Sequence, residues 1–191
     1  AVTLTLYDVP ADVSGPIVPG GSAVTVTTNT PGQNGVLSFD GVINQQVSLD
    51  VTSVTVTNNG ILSVTIRKPD GTTLTSTIVS NGGTGFIDVK VLPVTGTYTV
   101  FVDPNSFNTS SSTLRLYDVP ADFATSTTIN AAAVSVVTTV PGQNAKVTFA
   151  GTSGQQVTVR ITNNAIGLVT VKLLKPDGSQ LTSSISSSAS F

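Results

Sequence analysis

Cysteine, histidine, methionine, tryptophan and glutamate are all missing from this chain of 191 residues, and its ten acidic residues are all aspartate. Without cysteine there is no disulfide and no thiolate nucleophile, and without histidine the commonest general base is lost. Soft or imidazole-bound metals such as zinc and copper lose their usual ligands as well. Charge is scarce too: 9% of the residues are charged and the net charge is −2, against about 25% in an average soluble protein. Scattered Lys and Arg leave no basic footprint for nucleic acid or an anionic membrane. No apolar run approaches the roughly 18 residues of a membrane span. The chain opens at Ala1 with no charged segment leading into an apolar core, so no signal peptide is expected, as in a processed product or an excerpt.

What is present is threonine and serine, 31 and 22 residues, with many valines. β-Branched side chains fit a pleated surface, and good helix formers are few, so the expected class is all-β. Strand signals recur about every ten residues between Gly, Pro, Asn and Asp, the spacing of a sandwich or barrel. Val2, Leu4 and Leu6 alternate with Thr3, Thr5 and Tyr7; Val24 and Val26, then Leu62, Val64 and Ile66, then Tyr98, Val100 and Val102 follow the same period. Such alternation marks half-buried antiparallel strands. Lys68-Pro69-Asp70-Gly71 and Pro31-Gly32-Gln33-Asn34 read as turns, and the prolines and glycines between Pro10 and Gly21 as a loop. Val47, Leu49 and Val51 share one parity while Val54 and Val56 take the other, which requires a bulge near Ser53.

The chain also repeats itself. Leu4-Thr5-Leu6-Tyr7-Asp8-Val9-Pro10-Ala11-Asp12 returns 110 residues later as Leu114-Arg115-Leu116-Tyr117-Asp118-Val119-Pro120-Ala121-Asp122. Pro31 to Asn34 recurs at Pro141 to Asn144, Gln45-Gln46-Val47 at Gln155 to Val157, and Lys68 to Gly71 at Lys175 to Gly178. A repeat this long is a domain. Taking the Tyr-Asp-Val-Pro-Ala-Asp segment as the start of a unit gives a complete first domain at 1–110 and a second at 111–191. The second, reaching the counterpart of Phe86 at Phe191, lacks two strands equivalent to Ile87 to Val91 and Thr97 to Asp103. Either the polypeptide is longer, or another chain supplies the missing strands by strand addition.

Calcium is the one metal suited to an all-oxygen donor set. Its candidate ligands are Asp8 and Asp12, their repeats Asp118 and Asp122, and Asp103 in the linker ahead of the second copy; turn capping around Pro10 is the competing role. No other cofactor is implied. The lysines read as solvated surface: Lys68 and Lys175 abut turns, Lys90 shares a face with Asp88, and Lys172 with Thr170. None recurs at a core position as an isopeptide cross-link requires. Asn108-Thr109-Ser110 has the form of a glycosylation acceptor in a polar interdomain linker. Tyr7 and Tyr117 lie on the polar side of their strands, either as binding aromatics or packed under a loop. No catalytic residue emerges, and the chain is expected not to be an enzyme.

From Gly41 to Asp103 the sequence resembles the bacterial pre-peptidase C-terminal (PPC) domain family. The resemblance is carried by Gly32-Gln33, by Gln45-Gln46-Val47, by Lys68-Pro69-Asp70-Gly71 with Thr72-Thr73-Leu74, and by Gly96-Thr97-Tyr98-Thr99-Val100, which looks like that family's closing strand. It implies two tandem antiparallel jelly-roll-like β-sandwich domains with about eight strands per complete unit. It also implies a noncatalytic accessory or spacer on secreted proteases or long surface proteins, some of which bind calcium or polymeric substrate. The function expected is a structural module of a bacterial extracellular or cell-surface fibre, stalk or adhesin that associates with further copies through sheet edges. The alternative is an accessory binding domain of a secreted hydrolase.

Overall fold

A computed structural model describes residues 1–186, and Phe191 falls outside them. The protein is all-β. Nine strands build the first sandwich: β1 (Val13–Pro16), β2 (Val24–Thr27), β3 (Gly35–Gly41), β4 (Gln46–Val56), β5 (Ile61–Arg67), β6 (Thr73–Ser80), β7 (Gly85–Val91), β8 (Gly96–Pro104) and β9 (Ser110–Asp118). They form a four-stranded sheet ordered β2-β9-β4-β7 and a five-stranded sheet ordered β1-β3-β8-β5-β6. Leaving β1 aside, this is the eight-stranded jelly-roll order, two Greek keys wrapped into facing sheets. The edge strand β1 pairs parallel to β3. Pro16, which marks this stretch as loop in the sequence, is tolerated because an edge strand has a side that needs no backbone donor.

Alternation along each strand fills the space between the sheets. Leu37, Leu49, Leu62, Ile66, Val100, Leu114 and Leu116 are buried, with Phe39 stacked on Tyr98 at a centroid distance of 5.3 Å. The Tyr98 hydroxyl donates to the Val94 carbonyl at 2.7 Å, so the ring is buried without an unpaired phenol. The expected flip in β4 is present: pairing with β9 slips between Thr52 and Thr55, Ser53 has φ of 51°, and Val51, Val54 and Val56 all face inward.

The frame of the repeat differs from the sequence expectation. Residues 1–12 belong to no strand, and Val2, Leu4 and Leu6 are 96%, 91% and 94% exposed. The places such a strand would take, beside β2 and β4, are filled by β9, which the sequence assigns to the second domain. A boundary at residue 110 therefore falls at the first residue of the strand that closes the first sandwich. Alternation identifies strand character correctly but carries no information about which sheet a strand joins. Gly96–Pro104, read as the closing strand, is followed by β9, and Asp103 lies in β8 and not in a linker.

The second repeat shows β10 (Phe123–Ser126), β11 (Ala145–Thr148), β12 (Val169–Leu174) and β13 (Gln180–Ser186). β10 pairs parallel with β11 in the same register as β1 with β3. The β12–β13 hairpin repeats β5–β6, including the irregularity at Leu173/Leu174 that matches Ile66/Arg67. Counterparts of β7, β8 and β9 are not among the described residues, three strands and not two. The described strands of this repeat form two separate pairs, β10–β11 and β12–β13, and residues 134–137 and 157–161 belong to no strand. Backbone contacts also divide the chain inside this repeat, into residues 1–149 and the residues from Ala150 onward.

Candidate interaction surface

The residues that the repeat singles out turn out to hold modules closed. Gln33 in the Pro31 to Asn34 turn accepts from the Asn29 backbone N–H at 2.9 Å and donates to the Ala11 carbonyl at 2.8 Å. Asp12 accepts from the Asn34 N–H at 2.9 Å. The second copy reproduces this clip: Gln143 accepts from the Thr139 N–H at 2.8 Å and donates to the Ala121 carbonyl at 2.8 Å, and Asp122 accepts from the Asn144 N–H at 3.3 Å. The Pro-Ala-Asp segment is thus tied to the module that follows it, while Leu114 to Asp118, just before its second copy, belong to the sandwich that precedes.

That division is visible along β9. Leu114 lies opposite Val51 and Leu116 opposite Leu49 on one side, and Leu114 lies opposite Val24 on the other. Both leucines are fully buried. Asp118 ends the strand by accepting from the Gln45 side chain at 2.8 Å, and the Val119 N–H donates to the Gln46 carbonyl. Gln45 also caps its own turn by accepting from the Val42 N–H, as Gln155 does from Thr152. Two residues past Val119 the chain enters the next clip, so no free linker separates the two. The Ser48 hydroxyl donates to the Pro141 carbonyl at 2.7 Å, bringing the second turn onto β4. At Gly142, with φ of 91°, a Cβ would lie 2.9 Å from the Ser48 Cβ, so only glycine fits this approach.

On the outer face of β2 and β9, Thr25 and Thr113 share a hydroxyl bond at 3.1 Å, and Thr27 and Ser111 another at 3.0 Å. Next to them lies a hollow of about 330 Å³ lined by residues that include Thr27, Thr28, Thr55, Thr57, Thr109 and Ser110, with no carboxylate or cation among them. Tyr117 carries Arg115 over its ring at 5.0 Å. On the inner face, the Ser112 hydroxyl is fully buried and has no hydrogen-bond partner among the described residues. Because an unsatisfied buried hydroxyl is penalised, Ser112→Ala is expected to stabilise the first sandwich by about 1 kcal/mol, measurable as a higher denaturant midpoint at unchanged slope.

Of the five calcium candidates, Asp12, Asp118 and Asp122 are acceptors in the contacts just described. Asp8 lies in the exposed N-terminal segment and Asp103 on the outside of β8. No three acidic side chains converge among the described residues. Asn108 is not in a flexible linker: it is buried between β8 and β9, where its amide donates to both oxygens of Asn105 and its carbonyl accepts from Thr57 and Asn58. A glycan cannot be attached to that nitrogen in the folded state. Asp70 and Asp177 hold matching turns, accepting at 2.6 Å from the hydroxyls of Thr72 and Ser179 and also from their N–H groups. These bonds favour the ionised form and hold both carboxyls below the ordinary aspartate value. The support they give is present above that ordinary value and fades as the pH falls through the lowered one.

No protein-family model matches the chain, and no curated protein matches it. Among solved structures, the chain is similar to the crystal structure of Aeromonas hydrophila PliG, a periplasmic inhibitor of g-type lysozyme. The two are 10% identical, the match covers 56% of this chain and 97% of that one, and the TM-score is 0.36. Among the described residues, no helix is long and apolar enough to cross a membrane.

Proposed function

We propose that this chain is a noncatalytic structural module of a bacterial extracellular fibre, stalk or adhesin, built from PPC-like sandwiches and associating through β-strands. The observation that carries this reading is the junction between repeats. The strand closing one sandwich runs through Val119 directly into the hydrogen-bonded clip of the next, and the next turn rests on Ser48. A direct passage from one module into the next suits a spacer built from repeated units. Surfaces covered by threonine and serine hydroxyls remain wet with little charge, which suits long-lived lateral contacts outside the cell.

Sedimentation and negative-stain electron microscopy of the purified chain over rising concentration test this reading. Concentration-dependent assemblies are expected. Monomers at every concentration, together with retention on insoluble protein or polysaccharide, would instead indicate an accessory binding domain.

A further inference from the structure

We infer that β6 is a pairing edge, and that its occupant is β6 of a second copy of this chain, antiparallel about a two-fold axis at Thr77. This rests on the reading of the chain as a module that associates through its strands, and it names the strand and the register.

The first sandwich has four sheet edges, β1 and β6 on one sheet and β2 and β7 on the other. An open edge is a row of unpaired backbone groups, and folded proteins blunt it with short strands, proline or charge. Three of the four are blunted: β1 and β2 are four residues long, β1 with Pro16, and β7 carries Asp88 and Lys90. The exception is β6, whose eight residues include neither proline nor charge. Its one irregularity lies at the Arg67 end, so Thr75 to Ser80 run as a regular strand. The matching strand β13 keeps Leu181, Thr182, Ser183 and Ile185 and is likewise uncharged, and Ile78 and Ile185 are each 65% exposed.

The free backbone groups fix the register. The Asn81 N–H donates to the Gly60 carbonyl, and along an antiparallel strand the bonding groups of successive residues point to alternate sides. Val79, Thr77 and Thr75 therefore bond to β5, opposite Leu62, Val64 and Ile66. Ser76 and Ile78 turn their N–H and C=O groups to the open side, where they have no partner among the described residues. The Ser80 carbonyl on that side is taken by the Gly83 N–H. Setting Ser76 against Ile78 of a second copy, and Ile78 against its Ser76, satisfies all of these groups in both chains and places Thr77 opposite its own copy. Charge favours this occupant in particular. A two-fold axis sets a strand against itself, where any charge would meet its like, and residues 71–87 carry none. The contact is isologous, one sheet continuing into the same sheet of the second copy.

Because the chain has no cysteine, one substitution reads the axis. Opposed residues of a non-hydrogen-bonded antiparallel pair lie within disulfide reach, whereas Thr75 and its copy would be roughly 14 Å apart. Oxidised full-length Thr77→Cys is expected to run as a covalent dimer on a non-reducing gel, severalfold more abundant than from Thr75→Cys. Ile78→Lys changes an exposed side chain and adds the charge that protects natural edges. It should melt like the parent, and is expected to abolish concentration-dependent association. Equal dimer from both cysteine variants, or none from Thr77→Cys, would overturn the inference. If Ile78→Lys assembles as the parent does, the β6 edge fails while the structural-module reading stands. If the parent chain never assembles, both fail.

Discussion

Leu116→Ala is expected to destabilise the first sandwich by about 3 kcal/mol, while the same substitution at Leu6 leaves its stability unchanged. The two leucines sit in nearly identical sequence, so propensity, hydrophobicity and local pattern predict equal effects. Only their surroundings differ. Leu116 lies between the sheets opposite Leu49, with no exposed surface, whereas Leu6 is 94% exposed. Truncating Leu116 removes transfer free energy and leaves a cavity in a core closed by strands on either side, and truncating Leu6 removes neither. Urea unfolding of the two variants, followed by far-UV circular dichroism, gives both numbers. A comparable loss in each would mean that Leu6 is buried in the folded monomer.

A second large effect is expected at Asn108. Its side chain joins Asn105, Thr57 and Asn58 at the end of the sandwich where β8 turns into β9, and it is only 4% exposed. Asn108→Ala leaves several buried polar groups without partners, and the expected loss is about 2 kcal/mol. Asn108→Asp should be nearly as damaging, because the lost amide donors face two Asn105 oxygens that an aspartate would repel. A change below about 0.5 kcal/mol, the range of ordinary surface substitutions, would show instead that the loop is loosely held.

Much of this architecture is legible in the letters, and the places where it is not share one cause. The alternation at Leu62 to Ile66 and Tyr98 to Val102 gives strands whose buried faces are the expected ones, and the parity change after Val51 marks a real bulge. These are local signals, fixed by the two-residue period of a pleated strand. The repeat itself is equally plain, but a periodic sequence does not show where its period begins. The frame is set by pairings such as Val47 with Asp118, between residues far apart in sequence that local pattern cannot connect. Beginning the unit at Leu4 instead of Val13 follows from that ambiguity. So does placing Asp103 and Asn108 in a linker, since both precede a boundary that does not exist there. The Ala11-Asp12 and Gln33-Asn34 pairs are visible as recurring motifs, but the 22 residues between the bonded partners give no sign that one pair ties down the other.

The offset frame is tested most directly by comparing two fragments of the first repeat, residues 1–110 and residues 13–122, in thermal and urea unfolding. The second contains β1 to β9 and is expected to unfold in a single cooperative transition. The first exchanges β9 for the N-terminal segment, leaves Val47, Leu49 and Val51 without their partners, and is expected to show no cooperative transition. If residues 1–110 unfold cooperatively at the same midpoint as residues 13–122, then Leu4 to Asp8 close their own module, and the module does not begin at Val13.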